Sequence, residues 1–144
     1  MPASASCRFC QIASHANYVV FEDHLSIAFL DYKPLFIGHT ILIPKAHFET
    51  LSDLPKELLA PFFANVQLLS RAVEHAMSAE GSFIAINNRV SQSVPHLHVH
   101  IVPRRKKDGL RGFFWPRQAH PGDDPMRQAQ IAIQAEVARL TGVS

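Results

Sequence analysis

Long apolar runs, heavy charge and abundant cysteine are all missing from this 144-residue chain. No apolar stretch approaches the length that spans a bilayer, so no membrane partner is expected. No basic segment followed by an apolar core opens the N-terminus, which makes a cytoplasmic protein the expectation. The net charge is only +2 at pH 7, too small for a nucleic-acid coat protein, and no nucleic-acid partner is expected. Charged residues make up 18% and hydrophobic residues 47%, which sets the chain apart from disordered proteins and suits a soluble globular one. There are two cysteines, Cys7 and Cys10, spaced Cys-x-x-Cys. In a reducing compartment that spacing favours a metal or redox role over a structural disulfide. The length suits one domain over 1–144 with a real core, and there is no internal repeat or low-complexity segment.

What is present reads first as short strands. Tyr18-Val19-Val20-Phe21, the turn signal Glu22-Asp23 and Ser26-Ile27-Ala28-Phe29-Leu30 predict a hairpin. After Gly38, His39-Thr40-Ile41-Leu42-Ile43 is β-branched enough for a third strand, stopped by Pro44. A helix is expected from Ser52 or Pro55 to about Ala79, with Leu58, Leu59, Phe62, Phe63, Val66, Leu69, Val73 and Met77 on its apolar stripe. Pro61 inside that stripe predicts a kink or a broken first turn. Ser82-Phe83-Ile84-Ala85-Ile86 reads as a fourth strand, expected to pair antiparallel with the next. Asp123-Asp124-Pro125 reads as an Asp cap with Pro in the first turn, opening a last helix to about Leu140. The expected fold class is α+β: a mostly antiparallel five-stranded sheet, one long helix and a C-terminal helix. Its core would cover about 7–104, with a tail and helix over 105–144.

The chemistry concentrates in His96-Leu97-His98-Val99-His100-Ile101-Val102. A strand has a period of two, so all three imidazoles would leave one face, about 6–7 Å apart along the strand, and Leu97, Val99 and Ile101 the other. Half-buried strand histidines satisfied by hydrogen bonds are one reading. A catalytic three-histidine zinc site is a second, weakened because no Glu or Asp motif beside them offers a general base. The third is nucleophilic attack on phosphorus by a neutral imidazole whose neighbours orient it and hold phosphate oxygens.

This run resembles the histidine triad superfamily of nucleotide hydrolases and transferases, whose signature His-φ-His-φ-His-φ-φ (φ apolar) it matches in full. Cys7-Arg8-Phe9-Cys10-Gln11-Ile12, Ala28-Phe29-Leu30-Asp31 with Pro34, and Gly38 through His47 are similar to the family's other segments, in order. The resemblance implies that His98 attacks the α-phosphorus of a nucleotide and forms a covalent nucleotidyl-histidine that water then releases. It implies that His100 bonds a phosphate oxygen and that His39 supports the triad from an adjacent strand. Asn87 would share the phosphate charge, and Gln92 and Ser93 would lie at phosphate and leaving group, with the Ser93 hydroxyl assisting protonation of a leaving amine. Asp31 would take the ribose hydroxyls, and Phe9, Ile12 and Phe29 would line the base pocket.

The implied activity is that of a purine nucleoside phosphoramidase. Dinucleoside polyphosphate hydrolysis, or a nucleotide-binding regulatory role with little turnover, are the alternatives. A homodimer through the long helix and an edge strand is implied as well. Cys7, Cys10, His47 and His96 have the ligand types of a closed, structural Cys₂His₂ zinc site such as some members carry, in which the first triad histidine is a ligand. No organic cofactor is expected. One departure stands out: the approach Asn87-Asn88-Arg89-Val90-Ser91-Gln92 has no glycine and is shorter than in many relatives, so Asn87 and Asn88 compete for the phosphate role. Arg104-Arg105-Lys106-Lys107 reads as a solvated loop or as a device that steers anions. Phe113-Phe114-Trp115-Pro116-Arg117 would pack on the core or shape a pocket near the leaving group.

Overall fold

A computed structural model describes residues 5–15, 17–110 and 118–142. Its contacts divide the chain into two compact units, Met1–Asp108 and Gly109–Ser144. The first holds a short helix α1 (Arg8–His15), strands β1 (Val19–Glu22), β2 (Ser26–Leu30) and β3 (Thr40–Pro44), the long helix α2 (Lys56–Ala76), and strands β4 (Gly81–Ala85) and β5 (Val99–Arg104). The strands form one antiparallel sheet in the order β1-β2-β3-β5-β4. No helix among the described residues is long and apolar enough to cross a membrane.

The period of two gives the sheet two different faces. Ala28, Leu42, Val99 and Ile101 pack with Phe62, Val66, Leu69 and Val73 of α2. The opposite face puts Ile27, Phe29, Ile41 and Ile43 against Cys7, Phe9 and Cys10 around α1. Phe62 is fully buried, and α2 runs unbroken from Lys56 to Ala76 with Pro61 inside it. The break expected at Pro61 is absent. Proline's missing N–H and its ring's clash with the Glu57 carbonyl fall near the helix start, and the buried stripe Phe62, Val66, Leu69 and Val73 ties the helix to the sheet beyond them. The helix also stops at Ala76 rather than Ala79, with Met77 as its C-cap.

The hairpin turn is held by Asp23, whose Oδ1 accepts from the Leu25 and Ser26 amides at 2.9 and 2.7 Å. Asn65 of α2 donates to its Oδ2 at 2.8 Å, which links turn and helix. Gly38, at φ +100°, lies so close to α2 that a Cβ there would sit 2.6 Å from Met77 Cγ. That close approach delivers the chain into His39 and β3.

Two expectations change in detail. β5 begins at Val99, so His96, Leu97 and His98 precede the strand rather than lie in it. β3 explains why: it pairs with β5 only from Val99 to Ile101. The Leu97 amide instead donates to the Phe48 carbonyl at 2.6 Å. The second unit contains α3 (Asp123–Thr141), capped by Gly122 rather than by an aspartate. Asp123 and Asp124 occupy its first turn, where their charge complements the helix dipole. Gly142 closes the helix in the left-handed conformation at φ 70°.

Candidate active site and metal cluster

The alternation survives the loss of the strand. Leu97, Val99 and Ile101 are fully buried on the α2 face, and the three imidazoles turn to the other. The His98 and His100 rings lie 5.0 Å apart, closer than ideal strand spacing. Each histidine meets a different surrounding.

His98 is 2% exposed, and its Nδ1 lies 2.7 Å from the His96 carbonyl. A carbonyl only accepts, so Nδ1 carries the proton and Nε2 keeps its lone pair. Burial lowers the His98 pKa, opposed by that carbonyl and by the Asp31 charge, so the neutral ring is the resting form. Phe9 stands edge-on to the ring with centroids 5.0 Å apart.

His39 and His100 form a chain whose proton positions follow one from another. The Leu35 amide donates to His39 Nδ1 at 3.1 Å. A neutral His39 therefore holds its proton on Nε2, which lies 2.9 Å from His100 Nδ1 and 3.6 Å from Asp31 Oδ2. Donation to His100 Nδ1 leaves His100 Nε2–H free to donate outward. Burial, with His98 and His39 nearby, pushes His100 down to about 4. His39 is also lowered by burial, with Asp31 opposing. Asp31, His39 and His100 are close enough together to suggest a metal site. A metal on His39 Nε2 would move the proton to Nδ1, against the Leu35 N–H, so the protonation pattern disfavours one there. Asp31 reaches this position because the β2–β3 ladder continues past both strands: its amide donates to the His39 carbonyl at 2.8 Å.

His96 is fully buried and turned elsewhere. Its Nε2 donates to the Pro44 carbonyl at 2.8 Å, so Nδ1 presents a lone pair. That atom lies 3.4 Å from Cys7 Sγ and 3.5 Å from Cys10 Sγ, and His47 Nδ1 lies 3.3 Å from Cys10 Sγ. The four ligand atoms lie within 4.8 Å of one another. A tetrahedral zinc with ordinary Zn–S and Zn–N bonds separates sulfur from nitrogen ligands by about 3.6 Å, so the cluster fits the ion. The Pro44 carbonyl supplies the outer partner that metal-bound histidines require. Burial and the neighbouring His47 and His98 push His96 down to about 4, favouring the unprotonated form a metal needs.

A cavity of about 370 Å³ opens in front of His98 and His100. Phe9, Ile12, Phe29, Asp31 and Ser93 line it together with Arg8, Asn17, Tyr18 and Tyr32, which the sequence had not singled out. Phe9 and Phe29 meet edge to face at 5.8 Å. Asn17 and Tyr18 lie just ahead of β1, and only the folded hairpin brings them there; nothing in their sequence neighbourhood marks them. Asn87 and Gln92 are not among the lining residues. Gln92 instead donates to the Glu49 carbonyl at 2.6 Å and accepts from the Arg89 amide at 2.8 Å. Asn88 accepts from the Leu51 amide at 3.0 Å. These bonds hold the glycine-free approach, in which Arg89 and Ser91 take φ of 67° and 60°.

The basic run is mostly engaged. Arg104 forks onto Asp108 at 2.6 and 3.1 Å, Arg105 donates to the Met77 carbonyl at the end of α2, and Lys106 lies 4.0 Å from Glu80. These contacts give Arg104 and Arg105 a local structural role, while Lys106 stays 88% exposed. Phe113 to Arg117 fall outside the described residues.

The fold and the three-histidine face define a histidine-triad protein, and the HIT domain family model matches residues 13–107. The chain belongs to that family. Among curated relatives, it is 34% identical over 143 residues to Protein hit of Bacillus subtilis, covering 96% of this chain and 97% of that protein. It is 33% identical over 138 residues to an adenylylsulfatase of Arabidopsis thaliana, covering 93% of this chain but only 65% of that protein. Among solved structures, SMU.412c from Streptococcus mutans superposes with a TM-score of 0.80 at 34% identity, covering 95% of this chain and 89% of that one. A Zn-bound histidine triad family protein from Mycobacterium smegmatis does so with a TM-score of 0.68 at 33% identity, covering 96% and 98%.

Proposed function

We propose that this protein hydrolyses nucleotides at the α-phosphate through a covalent nucleotidyl-histidine on His98, with purine nucleoside phosphoramidates as the favoured substrates. The observation that carries the reading is the His98 Nδ1–H bond to the His96 carbonyl at 2.7 Å, because it leaves Nε2 unprotonated toward the cavity. Nε2 attacks phosphorus, the P–N bond to His98 forms, and the bond to the leaving group breaks. His100 Nε2–H donates to a non-bridging oxygen as charge builds there. The Ser93 hydroxyl, on the cavity wall, delivers a proton to a departing amine. Water then cleaves the His98–P bond and releases nucleoside monophosphate. Phe9, Ile12 and Phe29 sandwich the base, and Asp31 accepts from the ribose hydroxyls.

Cys7, Cys10, His47 and His96 would hold a structural zinc. With four protein ligands its shell is closed, so it would fasten α1, and with it Phe9 and Ile12, to the sheet. An anionic leaving group is the second reading. It draws support from the adenylylsulfatase relative and from a bis(5'-nucleosyl)-tetraphosphatase of Schizosaccharomyces pombe, 39% identical over 94 residues. A cytoplasmic homodimer completes the proposal. Leu59, Phe63 and Leu68 are exposed on α2, and Ile84 is exposed on the edge strand β4. Ile84 pairs with Ile101, whose side chain packs in the α2 core, so all these groups flank the same face.

His98→Ala tests the reading. Nucleotide release from adenosine phosphoramidate should vanish while nucleotide binding persists; unchanged turnover would overturn the assignment.

A further inference from the structure

A second cavity, of about 380 Å³, lies beside the first, and the two share Arg8, Ser93 and Val94 as a common wall. The first holds the nucleoside-facing groups Phe9, Phe29 and Asp31 together with His98. The second holds none of these; Ser6, Cys7, His47, Glu49 and Pro95 complete it, so it borders the Cys7–His47 side of the metal cluster. A group displaced from phosphorus by His98 leaves on the side away from the nucleophile, and Ser93, the candidate proton donor for that group, stands on the shared wall. The second cavity adjoins that wall, and its place beside Ser93 favours a leaving group there.

Arg8 is the cation on that wall. It is exposed, and its guanidinium has no hydrogen-bond or ion-pair partner among the described residues. Every other group of the shared wall is neutral. Glu49, also exposed, is the opposing charge in the second cavity, and it makes no ion pair with Arg8 within 4.0 Å. A planar guanidinium with unfilled donors, on the wall that both cavities share, matches a carboxylate or an oxyanion such as sulfate. α1 fixes its position, because its neighbours Cys7 and Phe9 are both buried in the core on that face of the sheet.

We propose that the second cavity is a leaving-group subsite and that Arg8 is its specificity-determining residue, selecting leaving groups that bear an anionic substituent. The inference rests on the α-phosphate chemistry proposed above and adds the class of group that departs. For an amine leaving group, it predicts preference for an amino acid linked through its nitrogen over the same amine without its carboxylate.

The test compares wild type, Arg8→Gln and Arg8→Lys on three adenosine 5'-phosphate derivatives: the tryptamine phosphoramidate, the tryptophan phosphoramidate and adenosine 5'-phosphosulfate. Wild type should turn over the tryptophan compound with a kcat/KM about tenfold above the tryptamine compound, as one charge-assisted contact supplies. Arg8→Gln should erase that preference, chiefly through KM, by lowering kcat/KM for the tryptophan compound about tenfold more than for the tryptamine compound, while Arg8→Lys restores part of it. A matching Arg8-dependent gain on the phosphosulfate assigns the subsite to small anions in general, and a gain confined to tryptophan assigns it to amino-acid-like groups. Equal wild-type rates on the two amines, or a preference that persists in Arg8→Gln, overturns the inference while leaving the α-phosphate reading standing. No turnover of any of the three overturns that reading and the inference with it.

Discussion

Removing the His39 imidazole should damage catalysis through His100, without touching substrate directly. His39 is 3% exposed and links the Leu35 amide, at 3.1 Å, to His100 Nδ1, at 2.9 Å. His39→Leu deletes both links. The Leu35 N–H and His100 Nδ1 each lose a partner in a part-buried setting that water reaches, and a net bond contributes about 0.5–1.5 kcal/mol, so stability should fall by about 1–3 kcal/mol. His100 also loses the bond that holds its proton on Nε2. A net bond of about 1 kcal/mol biases the tautomer about fivefold, so kcat/KM on a nucleoside phosphoramidate should fall by up to about fivefold. His39→Gln offers an amide oxygen to Leu35 and an amide N–H to His100, and should recover most of the loss. Long-range nitrogen–proton NMR reads the tautomer of His100 beside the kinetics. If His39→Leu keeps both the Nε2–H form and full turnover, the chain from Leu35 through His39 to His100 is not what sets the proton.

Lowering the pH should destabilise the fold through His100. Its folded pKa, about 4, lies below the unfolded value of 6.5. The unfolded chain therefore binds a proton first, and the stabilisation present above about pH 6.5 is lost as pH falls toward 4. The full shift corresponds to at most about 3 kcal/mol, reduced to about 1–2 kcal/mol by the solvent that reaches this half-buried ring. Urea melts at pH 7 and pH 5 with wild type and His100→Asn measure it, and an unchanged pH slope in the variant would remove His100 as the cause. Cys10→Ala should abolish stoichiometric zinc, lower Tm and raise KM for nucleotide, because α1 carries Phe9 and Ile12 into the cavity. Equal metal content in variant and wild type would count against the four-ligand site. Phe62→Ala should cost about 3–5 kcal/mol by emptying a fully buried position under α2, with kcat unchanged at temperatures where the variant stays folded.

The sequence carried the sheet through short apolar, β-branched runs bounded by turn residues, and α2 through its helical period. β3 reads Thr-Ile-Leu-Ile-Pro, a β-branched apolar run bounded by Gly38 and Pro44, and α2 buries Phe62, Val66, Leu69 and Val73 at helical spacing. Alternation also foretold which triad side chains enter the core. It did not foretell that β5 begins only at Val99, because a strand's start depends on its partner, and β3 pairs with β5 only from Val99 to Ile101. The ligand types Cys7, Cys10, His47 and His96 were legible, and their side chains converge. The polar approach was harder to read. Gln92 has the chemistry of a phosphate contact, yet its amide is used on the Glu49 carbonyl and the Arg89 amide. Arg8 went unassigned for the opposite reason: a lone arginine between two cysteines has no signal until the cavities on either side of it are seen.

The central claim is that His98 takes the nucleotide covalently. Wild type mixed with adenosine phosphoramidate, quenched in alkaline denaturant within a turnover and analysed by peptide mass spectrometry, tests it most directly. The account predicts an adenylyl increment on the peptide holding His98, formed and lost at rates that match turnover, and no increment in His98→Ala. Wild-type turnover with no adduct at His98, or an adduct on another residue, would contradict it.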